Sequence, residues 1–455
     1  MGVARTQVKA PASLRSELTM GNGQIISAAN PRSAWVRESG GELRTLTGPE
    51  AAAAKLQAAL DVAHLIDYKK ANVLARVVSL DNSASGPAYV VEFSSRGGAR
   101  LRYLFSTTSR LLVGIQDEAR KTVTWFEDYR PEGNILEPHV LRSRSGVAGE
   151  LTFKLQRVSY NSGVASTLFD PPRGAEALDV TTLLREVSRN QNEVEKRFTE
   201  YSFLQKETER EIDGKGVVKK ETVKVYEVFP LPNREPILKL ISENGLTLSG
   251  DRAAKEDKRV QEEFLKAERD KDKVAQKQEQ QRAERQRKKA ANGQQEDDDV
   301  EISQFLRVCE FVSPRRERFQ DRDAVVFDFR AQTGFKPGNR QESLISKLVG
   351  VVWIDPGDKQ VMRLEARLAE GFKMGGGLLL SLRPGAALVM EQMRLKEGIW
   401  MPRFAQINLS VKVLLFGGGD INQTLEWSDY NHFSADVDSY KLGAPKTEEP
   451  PNKKP

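Results

Sequence analysis

One ordered set of strand and turn signals occurs twice in this chain, and the duplication constrains the fold more than any other feature. In the first half, Arg102-Tyr103-Leu104-Phe105 leads into a polar turn, Ser106 to Ser109, and out through Leu111, Val113 and Ile115. Glu132-Gly133 and Pro138 follow, then an alternating strand and the close Ser159-Tyr160-Asn161. The second half repeats the order with Val351-Val352-Trp353-Ile354, a turn from Asp355 to Asp358, and the apolar series Met362, Leu364, Ala366 and Leu368. It continues through Glu397-Gly398 and Pro402 to Ser428-Asp429-Tyr430-Asn431. Two β-rich units of one kind in tandem are therefore expected, with Tyr160 and Tyr430 at equivalent places.

With 455 residues the chain has ample length for two cores. Its 70 basic and 64 acidic residues are mostly interleaved, a pattern that favours solubility over a nucleic-acid-binding face. Cys309 is the only cysteine, which excludes an intramolecular disulfide and a thiolate metal cluster. The most apolar stretch, Leu378-Leu379-Leu380-Ser381-Leu382, meets Arg383-Pro384 well short of the ~20 residues that a membrane-spanning helix needs. Met1 to Leu14 contains no apolar h-region, and the Met-Gly-x-x-x-Thr start is short enough to match the myristoylation pattern by chance.

The first domain is expected over 1–172. Gly21, Gly23, Gly40 and Gly41 around Trp35 mark short strands and turns. Thr47-Gly48-Pro49-Glu50 has the composition of a capping box and launches a helix with Leu56, Leu60 and Ala63 on one face. Tyr89, Val91 and Phe93, then Leu101, Tyr103 and Phe105, then Leu151, Phe153 and Leu155 alternate with other residues as in antiparallel sheet with one face covered and one wet. Asp170-Pro171-Pro172-Arg173-Gly174 ends the pattern. A linking helix over 173–197 carries Val180, Leu183, Val187 and Val194 on one stripe.

The second domain is expected over 198–442, interrupted by a charged helical insertion at 249–298. More than half of the residues from Asp251 to Ala290 are charged. Ala253, Val260, Ala267 and Val274 recur every seven positions, too sparse a stripe for a sturdy coiled-coil seam. This segment reads as a projecting, solvated helix whose deletion leaves the domain folded. The Pro- and Lys-rich tail, 443–455, reads as disordered.

The search for chemistry is largely negative. His64, His139 and His432 have no metal-ligand spacing, and Gly371 to Gly377 lacks the Gly-Lys-Ser/Thr ending of a phosphate loop. No Gly-x-Ser-x-Gly elbow is present. No catalytic residue, cofactor or metal is expected, and the chain is not expected to be an enzyme. What remains is an apolar sheet face under a helix, a place where a loose cover leaves a ligand cavity. The cavity candidates are Leu151, Phe153 and Leu155 in the first domain, and Met362, Leu364, Phe372, Leu378, Leu380, Ile407 and Leu409 in the second. For Phe372 to Val389, a long hairpin that completes the core is the alternative to a ligand gate.

The strand order, the two Glu-Gly…Pro turns (132–138 and 397–402) and the closing Tyr-Asn pairs resemble the LolA/LolB-type lipoprotein-sorting fold. They resemble still more two-domain envelope proteins of Gram-negative bacteria, through Asp61 to Tyr68, Val194 to Glu243 and the Lys/Glu-rich helix. The resemblance implies an α+β fold: two tandem half-open antiparallel β-barrels covered by helices, the second with a long charged helical insertion. It implies a periplasmic, monomeric carrier of a lipid or lipoprotein acyl chain, with no nucleic-acid partner. This chain departs from the resemblance in having no signal peptide and no opening helix and strand in its first domain, so either a truncated N-terminus or a misassigned start is expected. The alternative is an envelope scaffold with solidly packed barrels, docking on a protein or membrane surface through the charged helix.

Overall fold

The computed structural model describes residues 2–62, 65–83, 86–95, 98–146, 149–174, 179–213, 217–231, 235–270, 305–374, 380–413 and 417–432. The chain divides into two compact units. One combines Met1–Gln191, Thr208–Thr222 and Asp297–Leu425; the other combines Asn192–Glu207, Val223–Glu296 and Glu426–Pro455.

In the first unit, β1 (Gly2–Lys9), β2 (Ser13–Met20), β3 (Gly23–Ala29), β4 (Ala34–Arg37) and β5 (Leu43–Thr45) form an antiparallel meander, and α1 (Gly48–Val62) follows it. A second meander runs through β6 (Val73–Ser83), β7 (Gly86–Ser95), β8 (Arg100–Ser106), β9 (Leu112–Asp117), β10 (Thr122–Glu132), β11 (Ile135–Ser145) and β12 (Gly149–Lys154). Helix α2 (Val180–Phe198) comes next. Four strands, β13 (Tyr201–Ile212), β14 (Val218–Phe229), β15 (Ile237–Glu243) and β16 (Leu246–Thr247), precede α3 (Gly250–Arg269). The last run comprises β17 (Cys309–Phe319), β18 (Arg322–Ala331), β19 (Leu348–Asp355), β20 (Gln360–Leu368), β21 (Phe372–Met374), β22 (Leu380–Leu382), β23 (Ala387–Arg394), β24 (Trp400–Val413) and β25 (Gly417–His432).

The duplicated sequence order has a counterpart in topology. The strand order β6-β7-β8-β9-β10-β11-β12 matches β17-β18-β19-β20-β23-β24-β25, with β21 and β22 forming a side hairpin off β24. Pro138 pairs with Tyr129 in β11, and Pro402 pairs with Gln392 in β24. The fold is α+β, its strand pairs are antiparallel, and neither sheet closes into a barrel among the described residues. The expected equivalence of Tyr160 and Tyr430 fails. Tyr160 is exposed beyond the end of β12, whereas Tyr430 lies inside β25.

Helix α1 is apolar on two sides because both are buried. Ala51, Ala54 and Ala58 pack on Ala29, Ala34 and Leu46 of the first meander and its exit. Ala53, Leu56 and Leu60 pack on Val73, Phe93, Leu101 and Tyr103 of the second. The alanines permit close approach to one sheet and the leucines fill the space above the other, each buried leucine contributing about 1.5–3 kcal/mol. On the opposite sheet face, Ala88, Val90, Leu104 and Val113 are also buried together, which corrects the expectation of one wet face.

Helix α2 covers the matching face of the later sheet. Val180, Leu184 and Val187 pack on Val325, Phe327, Phe329, Val352 and Ile354. Gly350 is needed there: a Cβ would lie 1.9 Å from the Glu365 carbonyl oxygen and 2.7 Å from the Phe329 ring.

The second unit is organised around α3, and here a sequence expectation is overturned. Val260 is 2% exposed and packs with Phe229 and Ile237, flanked by Leu231 and Phe264. Lys239 and Asp257 pair at 2.8 Å, and Glu256 accepts a 2.7 Å bond from the Leu240 backbone N–H. The helix is therefore part of a core rather than a projection. The heptad count missed it because its second anchor, Phe264, follows Val260 by four positions, one helical turn. In the same unit, Phe203 packs on Tyr430 at 5.2 Å and Trp427 Nε1 donates to Gln205 Oε1 at 3.0 Å. The remainder of the 249–298 insertion beyond Asp270, and the 443–455 tail, lie outside the described residues.

Candidate functional site

The first-sheet candidates share the α1 face. Direct cross-strand neighbours run from Tyr103 through Ile115, Thr124 and Ser143 to Leu151. Two residues further along each of the last three strands, Phe126, Leu141 and Phe153 form the adjacent row. Side chains two apart on a strand share a face, so both rows belong with Tyr103 under α1. Yet the apolar cluster beneath α1 stops at β9, with Leu112 and Ile115 at its margin. Phe126, Leu141, Leu151, Phe153 and Leu155 are only half-buried. Leu155 is tied to β11 through its N–H, which donates to the His139 carbonyl at 2.9 Å.

The second-sheet candidates are dispersed. Leu364 packs into the α2 core. Met362, fully buried, joins Val326, Val351, Trp353 and Trp400 in a separate cluster. Strict alternation put these two on one face. A β-bulge on β20 separates them, since Val352 pairs with Leu364 and Trp353 with Arg363, but Ile354 pairs with Val361. Phe372 and Leu409 meet in a third cluster with Leu368 and Ala386. Ile407 is half-buried opposite Leu388 on β23. Leu378 lies outside the described residues, and for Leu380 only the backbone, in β22, is described.

A cavity that the sequence did not signal lies elsewhere in the first unit. It has a volume of about 700 Å³ and is lined by charged groups and backbone from the β4–β5 turn, the Pro172–Gly174 loop and β17. Five arginines, at 37, 173, 315, 316 and 318, face three carboxylates, Glu42, Glu317 and Asp323. Its floor is a buried ion network. Arg315, 1% exposed, donates to Glu317 Oε1 at 2.7 Å, Asp328 Oδ1 at 3.2 Å and the Ser313 carbonyl at 2.9 Å. Thr45 closes the network by donating from its hydroxyl to Glu317 Oε1 at 2.6 Å and from its N–H to Glu317 Oε2 at 2.8 Å. Ser33 Oγ donates to Asp328 Oδ2 at 2.6 Å. Arg32 reaches both Asp328, at 3.5 Å, and Asp170. A bulge between Val312 and Arg315, with Ser313 at φ 52°, turns Arg315 and Glu317 inward and leaves Arg316 and Arg318 exposed.

Among the described residues no group of three or more metal-ligating side chains is present. Cys309 is buried, and burial pushes its thiol up to about 12, consistent with an inert side chain. His139 Nε2 lies 3.1 Å from Glu132 Oε1, and His432 packs edge-on against Tyr201 at 5.4 Å. His64 lies outside the described residues. No described helix is long and apolar enough to cross a membrane.

No protein-family model matches the sequence, and neither does a curated protein. Part of the chain is similar to solved structures. A DUF1329 family protein from Desulfovibrio piger matches at 12% identity and a TM-score of 0.26, covering 37% of this chain and 80% of that one. An outer membrane lipoprotein-sorting protein domain from Vibrio parahaemolyticus matches at 7% identity and a TM-score of 0.26, with the same 37% and 80% coverage. A LolA superfamily protein from Nitrosomonas europaea matches at 13% identity and a TM-score of 0.19, covering 34% of this chain and 84% of that one.

Proposed function

We propose that this chain is a non-catalytic periplasmic binding protein that holds the acyl chain of a lipid or lipoprotein against the first seven-stranded sheet. The observation that carries this reading is the half-buried row Phe126, Leu141 and Phe153, continuous with the α1 core but beyond its cluster. An acyl chain laid along this row and Leu151 would exclude water from apolar surface at roughly 25 cal/mol per Å². On this reading the seven-stranded sheet with α1, and the run β17-β18-β19-β20-β23-β24-β25 with α2, are each one carrier-like domain. Lipid extraction from the purified full-length chain, followed by mass spectrometry, tests the proposal. A stoichiometric acyl-containing species supports it, and a lipid-free protein that takes up none on incubation contradicts it.

A second reading applies to the later sheet. Its face is filled by Val180, Leu184 and Val187 of α2, which favours a scaffold role for that half over a second binding cavity.

A further inference from the structure

We propose that this chain forms a two-fold dimer in which β12 pairs antiparallel with β12 of a second copy. The duplicated topology points to this edge. In the later sheet β25, the counterpart of β12, pairs onward with β13, whereas β12 ends the first seven-stranded sheet. Its pairing with β11, from Gly149↔Ser145 to Lys154↔Val140, runs without a register shift. The opposite edge strand, β6, is interrupted by a bulge between Val77 and Ser79, a device that disfavours further pairing. The Leu155 N–H donates to the His139 carbonyl at 2.9 Å, so Leu155, Phe153 and Leu151 direct their backbone polar groups to β11. Glu150, Thr152 and Lys154 direct theirs to the open side, and all three residues are exposed.

This edge is complementary to itself. With the two-fold axis at Thr152, Glu150 lies opposite Lys154 of the second copy, Leu151 opposite its Phe153, and Thr152 opposite its Thr152. The residues whose N–H and C=O groups face outward are then the ones that meet, so each donor finds an acceptor. Opposite charges, paired threonines and an apolar pair directly across an antiparallel ladder are each stabilising. Leu151 and Phe153, half-buried in one chain, each gain an apolar neighbour in place of water. Within one chain Glu150 meets Arg142 only at 3.9 Å, with 44% of its side chain exposed, so it is available to a closer cation. An isologous interface of this kind closes on itself and ends the assembly at two copies. The inference is independent of the acyl-chain reading, and it replaces the monomer that the resemblance implies.

Analytical ultracentrifugation of the full chain from about 1 μM to about 100 μM, where a weak interface is partly occupied, tests the proposal. The expected result is a reversible monomer–dimer equilibrium. Thr152→Pro removes the N–H at the axis, at an edge position where proline is tolerated, and should leave a monomer that melts like the parent. Glu150→Lys and Lys154→Glu each set like charges opposite one another and should weaken dimerisation by about tenfold. Glu150→Lys/Lys154→Glu restores opposite charges across the axis and should dimerise like the parent. If Thr152→Pro fails to melt cooperatively, the charge variants alone decide. A chain that stays monomeric throughout, a dimer indifferent to a folded Thr152→Pro, or a double charge variant no tighter than the single ones overturns the proposal.

Discussion

Met362 and Leu364 stand two positions apart on one strand and pack into different cores. Alternate residues of β18 and β19 make both faces of the later sheet apolar, one beneath α2 and one built around Trp353 and Trp400, and the bulge on β20 sends Met362 to the second. Leu364→Asp should destabilise the protein by several kcal/mol, roughly 2–5, because it puts a charge without a partner beneath α2. Met362→Ala should cost about 2–5 kcal/mol from lost burial and the cavity it leaves. In a double-mutant cycle with Leu364→Ala, the two costs should add to within about 0.5 kcal/mol, because the clusters share no side chain. Strong coupling in chemical denaturation would show that the two cores are one.

Helix α3 should be indispensable to the second unit. Val260→Asp should remove its cooperative melting transition, and Phe264→Ala should cost about 3 kcal/mol through the lost packing on Phe229. Deleting 253–292, a segment whose sparse apolar stripe suggests a dispensable spacer, should abolish that transition as well. Retention of cooperative unfolding in the deletion would restore the view of α3 as a spacer.

The Arg315 network should behave as a buried ion cluster. Arg315→Met should destabilise by about 3–5 kcal/mol, because Glu317 and Asp328 would then be buried without their shared cation. Adding Glu317→Gln to that variant should recover part of the loss, measured by urea denaturation. A single variant as stable as the parent would mean that the network contributes nothing to folding.

Asp61, on the last turn of α1, gives the stability a pH dependence. Burial is the main reason its carboxyl is pushed up to about 7, with Arg120 opposing the shift. In the unfolded chain the carboxyl ionises near 3.8, so between about pH 4 and 7 unfolding releases a proton. This group's contribution therefore favours folding at low pH and is lost as pH rises through that window. Asp61→Asn should raise Tm more at pH 8 than at pH 5. An equal change at both pH values would contradict the raised carboxyl.

The parts of the fold legible in the sequence were those set by local patterning and order. The run from Tyr103 through Ile115 to the strand carrying Leu151 and Phe153 is an antiparallel meander, and its later counterpart follows the same strand order. What periodicity could not reveal were the bulges. One sends Met362 to the far face, and another turns Arg315 inward beside Glu317. Both depend on a single extra residue that shifts parity, a change invisible in an alternating sequence. The cavity was hidden for a related reason. Arg37, Arg173 and Arg316 come from three separated segments, and in a chain of interleaved charges none stands out. Helix α3 was misjudged because the one-in-seven count gave no weight to Phe264.

The most direct test of the proposed carrier role is a titration of the full chain with a fluorescent long-chain fatty acid. The account predicts a saturable site that Phe153→Glu and Phe126→Ser each weaken at least tenfold, with the cooperative melt retained. The same binding should survive Met362→Ala, which alters a core away from the first sheet. Absence of saturable binding, or binding indifferent to both substitutions on the β10–β12 face, would contradict it.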